Sequence, residues 1–139
     1  GGPAWRETEF PPFAQAARLA RGNVLRLVKE CDTFAAGEYP AAPLLLATAV
    51  HDPESGAVSV FALNRSRAPM QIAASLRGFG NLALVEAQQL QHPDLKATNT
   101  RESPDAVSPV KHPACGCTGG ELAAPLKPLS WNVFSLKQA

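Results

Sequence analysis

Leu44-Leu45-Leu46-Ala47-Thr48-Ala49-Val50, Ala57-Val58-Ser59-Val60-Phe61-Ala62-Leu63 and Met70-Gln71-Ile72-Ala73-Ala74-Ser75-Leu76 are three short apolar runs in succession. His51-Asp52-Pro53-Glu54-Ser55-Gly56 separates the first two, Asn64-Arg65-Ser66-Arg67-Ala68-Pro69 the second pair, and Gly78-Phe79-Gly80 ends the third. Asp, Pro, Ser, Asn and Gly supply the φ values that turns require, so the stretch predicts a three-strand β-meander.

Downstream, residues 82–90 form a fourth apolar run that turns polar towards its end and stops at His92-Pro93-Asp94. Residues 94–128 carry turn-formers at Asn99, Pro104, Pro109, Pro113, Gly116, Gly119 and Gly120, with one brief strand expected at 121–124. A connection that long usually has a function or packs on a neighbour. Residues 129–136 close the chain as a strand containing Trp131.

Upstream, residues 4–10 alternate, with Trp5, Glu7 and Glu9 on one face, and predict a strand ending at Pro11-Pro12. Residues 13–21 are rich in Ala, Leu and Arg and predict a short helix stopped by Gly22. Residues 24–28 alternate around Arg26 as another strand, and 31–43 read as a linker punctuated by Gly37, Pro40 and Pro43. The expected class is mostly β, a sandwich of jelly-roll type with Pro- and Gly-rich connections.

With 139 residues the chain holds one domain with a real core, and 45% hydrophobic content argues against wholesale disorder. A net charge of +1 argues against a nucleic-acid or membrane-surface binder. No apolar stretch reaches the roughly 18–20 residues of a membrane span. The opening Gly1-Gly2-Pro3-Ala4-Trp5-Arg6 has no signal-peptide character and no initiating Met, which suggests a chain cut from a longer one. Cys31, Cys115 and Cys117 form no disulfide framework, so a reducing, cytoplasmic setting is expected.

The chemistry-bearing residues are sparse. His112, Cys115 and Cys117 are close in sequence, but a structural zinc site wants four ligands, so no metal and no cofactor is expected. Glu7 and Glu9 would stand about 6.5–7 Å apart on one strand face. That lies between the retaining spacing of about 5–5.5 Å and the inverting range, yet two carboxylates on one strand face rarely flank a sugar from opposite sides. Glu54, Glu86, Asp94 and Asp105 fall at turns or strand ends, and the adjacent His51 and Asp52 cannot share a pocket from a regular strand. No Gly-x-Ser-x-Gly elbow or Gly-rich phosphate loop is present. Read alone, these residues assemble no catalytic constellation.

Several phrases resemble the C-terminal part of the intracellular α-L-arabinofuranosidases of glycoside hydrolase family 51. Gly2-Pro3-Ala4-Trp5-Arg6-Glu7-Thr8 with Pro12-Phe13 resembles the family's Gly-Pro-x-Trp-Arg-Gln-Thr-Ile-x-Tyr-Pro-Phe. Arg21-Gly22-Asn23-Val24-Leu25 resembles its Arg-Gly-x-Val-Leu, Asp32-Thr33 its Tyr-Asp-Thr, and Val60-Phe61-Ala62-Leu63-Asn64-Arg65-Ser66 its Val-x-Asn-Arg-Ser. Asp94-Leu95-Lys96-Ala97-Thr98-Asn99-Thr100, Pro104-Asp105-Ala106-Val107 and Leu129-Ser130-Trp131-Asn132-Val133 follow in the family's order.

The resemblance implies a (β/α)8 barrel that carries catalysis, followed by a β-sandwich. Residues 1–22 would then be a remnant of the barrel's last strand and following segment, 23–43 a connecting strand and linker, and 44–139 the sandwich. The family's two catalytic Glu residues come from earlier barrel strands, so no catalytic residue is expected here. The intact parent would remove terminal α-L-arabinofuranosyl residues from arabinan or arabinoxylan oligosaccharides with retention, as a homo-oligomer. Trp5 and Glu7 match the family's sugar-facing Trp and Gln. Glu7 puts a carboxylate where the family has an amide and loses its donor; Glu9 and Pro11 depart from the family's Ile and Tyr. The alternative is a non-catalytic carbohydrate-binding module that uses Trp131 or Phe79.

Overall fold

Asp52 makes the first turn. Its carboxylate accepts from the Glu54 amide (3.0 Å) and the Ser55 hydroxyl (2.6 Å), and its carbonyl accepts from the Gly56 amide (2.8 Å). Gly56 takes φ +68°, which closes the turn without Cβ strain. Strands β4 (Leu45–His51) and β5 (Val58–Asn64) therefore pair antiparallel, from Leu45↔Asn64 to His51↔Val58.

The second turn does something different from a meander. Asn64 is fully buried, and its Nδ2 donates to the carbonyls of Ala68 (3.0 Å) and Lys127 (2.9 Å) while its Oδ1 accepts from the Ser66 amide (2.8 Å). This corner carries the chain off the first sheet. The next strand, β6 (Met70–Ser75), pairs not with β5 but with β10 (Glu121–Leu126) in the opposing sheet. Seven-residue apolar runs report strands; they do not report which strand each one meets.

The computed structural model describes residues 4–139. The remaining elements are α1 (Phe10–Leu19), β1 (Asn23–Val24), β2 (Thr33–Ala36), β3 (Tyr39–Pro43), β7 (Leu82–Leu90), β8 (Val110–Lys111), β9 (Gly116–Thr118) and β11 (Ser130–Gln138). One sheet runs β1-β4-β5-β11-β7-β8 and the second β6-β10-β9, with β2-β3 as a separate hairpin. Along β10, Leu122, Ala124 and Leu126 are buried while Glu121 and Ala123 face water, the period-two pattern of a half-covered sheet. These three pack with Ile72 against Val58, Val60, Ala62, Phe134 and Leu136 of the larger sheet. Burying each of the largest of these side chains contributes about 1.5–3 kcal/mol, so the sandwich core is the main source of stability.

The N-terminal third differs from expectation. Residues 4–7 have no regular structure, a turn follows at 8–9, and no barrel strand forms over the described residues 4–22. Pro11 and Pro12 do not end a strand; they open α1, where a missing N–H costs nothing. The alternation at 4–10 has no neighbouring strand to pair with. At 24–28 only Asn23 and Val24 pair with β4, followed by a Leu25 amide bond to the Ala49 carbonyl (2.8 Å), before the chain leaves the sheet. The expected linker contains the β2-β3 hairpin, turned at Gly37 (φ +57°). The long irregular stretch contains β8, β9 and a β10 that runs on to Leu126. Gly2 and Pro3, which begin the first resembling phrase, lie outside the described residues.

Candidate functional site

The outer face of the six-stranded sheet carries Val50, Phe61 and Val133, an apolar cluster turned away from the sandwich core. Helix α1 covers part of it with Ala16 and Leu19. Ten residues make only a marginal helix in water, so α1 depends on this docking.

Polar bonds fix how it docks. Gln15 is 6% exposed; its Nε2 donates to Gln88 Oε1 (2.6 Å), and its Oε1 accepts from the indole Nε1 of Trp131 (2.8 Å). Trp131 also lies against Phe61, ring centroids 5.8 Å apart. Near the helix C-terminus the Arg18 guanidinium meets Glu86 with two parallel bonds (2.8 and 2.6 Å). The hydrogen bond to Glu86, reinforced by its charge, raises Arg18 above the usual arginine value. This pair is largely exposed and its worth is small.

Just ahead of the helix, the loop after β7 reaches back. Asn99 is 5% exposed: its amide N–H donates to Thr8 Oγ1 (2.8 Å) and its Nδ2 to the carbonyls of Arg6 (3.2 Å) and Val107 (3.0 Å). Its Oδ1 accepts from the Val107 amide (2.7 Å). A cleft of 320 Å³ lies between Arg6, Phe10, Gln15, Gln88, Asn99 and Val107.

Beyond α1 the apolar face stays open. A 570 Å³ groove is lined by Val24, Leu46, Thr48, Phe61, Leu63 and Trp131, with Val24 73% exposed. Phe10 and Phe13, on the helix itself, are also exposed. A patch of this kind on a sheet normally marks an interface.

The sequence-predicted residues fall as follows. Trp5 and Glu7 are both exposed and precede the helix without sharing a strand face; the Glu7 carbonyl accepts from the Phe10 amide (3.0 Å). Glu9 is the residue at the helix N-cap. His51 ends β4 and Asp52 opens the first turn, where Ser55 and the Glu54 amide hold the Asp52 carboxyl below the usual carboxylate range. Phe79 is half-buried against His51 (5.0 Å between centroids), and Trp131 is half-buried beside Gln15. Glu86 pairs with Arg18, Asp94 accepts from the Lys96 amide (2.9 Å), and Glu54 and Asp105 are exposed.

His112 is 4% exposed, packs on Phe134 (5.4 Å between centroids), and has no hydrogen-bond partner at either ring nitrogen among the described residues. Burial pushes it below its ordinary value. Burial raises the thiols of Cys115 and Cys117, which makes them poor nucleophiles, and both pack against the core. No group of three metal-ligating side chains occurs among the described residues.

Gln15, Asn64 and Asn99 carry the junctions; sequence reading gave Asn64 and Asn99 only the part of turn residues and Gln15 none. A Gln inside an Ala-rich helix gives no signal of its own. Asn99 stands in one of the resembling phrases, and that was the available hint.

The family model of the α-L-arabinofuranosidase C-terminal domain matches residues 1–130. The chain is similar to the intracellular exo-α-(1→5)-L-arabinofuranosidase of Streptomyces lividans, 43% identical over 137 residues that cover 95% of this chain and 20% of that protein. It is similar to the exo-α-(1→6)-L-arabinofuranosidase of Bifidobacterium longum, 40% identical over 144 residues, covering 99% and 27%. A solved family 51 α-L-arabinofuranosidase from Bifidobacterium longum superposes with a TM-score of 0.89 at 34% identity, covering 96% of this chain and 26% of that one. The chain thus spans 20–27% of the length of these relatives.

Proposed function

The chain belongs to the α-L-arabinofuranosidase C-terminal domain family, and from that membership we propose that it is the non-catalytic scaffold of an enzyme that removes terminal α-L-arabinofuranosyl residues from arabinan or arabinoxylan oligosaccharides with retention. The observation that carries this reading is the half-covered outer sheet face, where α1 is bonded down and a 570 Å³ apolar groove stands open beside it. In this reading the partner of the face is the catalytic barrel to whose end residues 1–22 belong. Residues 1–22 belong in sequence to the end of that barrel, 23–43 connect, and 44–139 form the sandwich; α1 is gripped by the sandwich, which is how bracing works.

In this reading Trp5 and Glu7 face the sugar of the intact enzyme, and the acid/base and nucleophile Glu residues come from the barrel. The enzyme works in the cytoplasm as a homo-oligomer. Related enzymes named for (1→5) and (1→6) linkages are both similar to this chain, which supports a scaffold that does not select the linkage. The purified chain is expected to leave nitrophenyl arabinofuranoside intact. Turnover by the chain that vanishes on Glu7→Gln would overturn the assignment. Calorimetry with arabino-oligosaccharides separates the binding-module alternative: micromolar affinity for the isolated chain would favour it. The bond of the Trp131 indole to Gln15 and the half-burial of the ring disfavour that outcome.

A further inference from the structure

Residues 4–9 have no helix or strand to hold them, yet they carry both residues assigned to the sugar. Their path is set by contacts with a loop more than 90 residues away in sequence. Those contacts converge on one residue, Asn99, through its side-chain amide and its backbone N–H. The planar amide of Asn99 spends its acceptor and one donor on Val107, which staples residues 99–107 into a closed loop, further tied by the Thr100 hydroxyl accepting from the Ser103 amide (3.1 Å). The second use of Nδ2 is the Arg6 carbonyl, and the Asn99 backbone N–H takes the Thr8 hydroxyl oxygen. The chain is thus held one residue before and one residue after Glu7.

We infer that Asn99 is a positioning residue: by gripping Arg6 and Thr8 it sets where Trp5 and Glu7 stand relative to the substrate. The inference rests on the reading that these two residues face the sugar. It gives the long loop after β7 a job, and it makes the sandwich a part of substrate recognition as well as a brace. The residue type follows from the geometry. Two donations and one acceptance from a single buried planar group require an amide. Asp lacks the donors, and Gln is longer by one methylene.

Two measurements test it. In the 139-residue chain, NMR order parameters at residues 5–8 are expected to fall from about 0.85 to below about 0.6 in Asn99→Asp and in Thr8→Val. Thr8→Val leaves the Asn99–Val107 staple intact, so the loop should keep its order in that variant, and Thr8→Ser should restore residues 5–8. The second measurement joins the chain to the catalytic part of the Streptomyces lividans relative in place of that enzyme's own C-terminal segment. There, Asn99→Asp and Thr8→Val are expected to lower kcat/KM by about tenfold or more, since small misplacements of a contact are costly, with recovery in Thr8→Ser. Unchanged order parameters would overturn the inference. So would unchanged kcat/KM in both variants where Trp5→Ala lowers it. If Trp5→Ala itself changes nothing, the sugar-facing reading fails and the positioning role falls with it. The order parameters would still drop in that case, which tells the two failures apart.

Discussion

Gln15→Ala removes the one side chain that both Trp131 and Gln88 bond to, and its cost reports how firmly α1 is tied to the sandwich. The change deletes two neutral hydrogen bonds, of 2.6 and 2.8 Å. Each contributes about 1 kcal/mol net, and a buried donor left without a partner costs about 1–3 kcal/mol. Trp131 and Gln88 are half-buried, so water recovers part of that penalty and a loss of about 2 kcal/mol is expected. With an unfolding entropy of about 2.1 cal/mol/K per residue, a 139-residue chain shifts its Tm by about 3–4 °C per kcal/mol, or about 7 °C in all. Far-UV circular dichroism during urea and thermal unfolding measures this without relying on the tryptophans. Trp131→Phe supplies the control, because it keeps an aromatic ring at the position and removes the N–H donor. In that background Gln15→Ala should cost about 1 kcal/mol less, a coupling of about 1 kcal/mol. A coupling within about 0.3 kcal/mol of zero would mean that the two sites are independent and that the bond does not anchor the helix.

Two further changes probe other parts of the fold. Burial, with the Lys127 charge acting in the same direction, holds His112 below its ordinary 6.5. The unfolded chain therefore takes up this proton first on acidification. Stability is complete above pH 6.5 and declines as the pH falls below it until the folded-state value is passed; His112→Phe should flatten that limb of a urea-midpoint profile. Gly22 sits at φ +110°, and a Cβ added there would collide with the His51 carbonyl oxygen. Gly22→Ala should peel β1 from β4 and cost more than about 1 kcal/mol, seen as faster exchange of the Leu25 amide; unchanged exchange would show that the backbone there yields.

Strand positions were legible where the apolar run itself was the strand. Residues 82–90 emerge as β7, and the runs at 44–50, 57–63 and 129–136 appear within one or two residues as β4, β5 and β11. These runs also supply most of the core, β5 and β11 above all. What the local pattern does not carry is the partner. Asn64 turns the chain into a second sheet through carbonyls 62 and 63 residues away, so β6 looked like a third meander strand. The alternation at 4–10 looked like a strand for the opposite reason, since it has no ladder to join. Trp5 and Glu7 drew notice only through the resembling phrase, as residues expected to face a sugar. Gln15 and Asn99 act through neighbours 73 to 116 and 91 to 93 residues away respectively, which a single sequence does not display.

The central claim is that this chain completes an enzyme and contributes no catalytic group of its own. Initial rates on nitrophenyl arabinofuranoside test it most directly, taken for three proteins: the chain alone, the catalytic part of the Streptomyces lividans relative alone, and the two joined. Turnover is expected only from the joined protein. Turnover by the chain alone, or equal rates for the catalytic part with and without it, would contradict the claim.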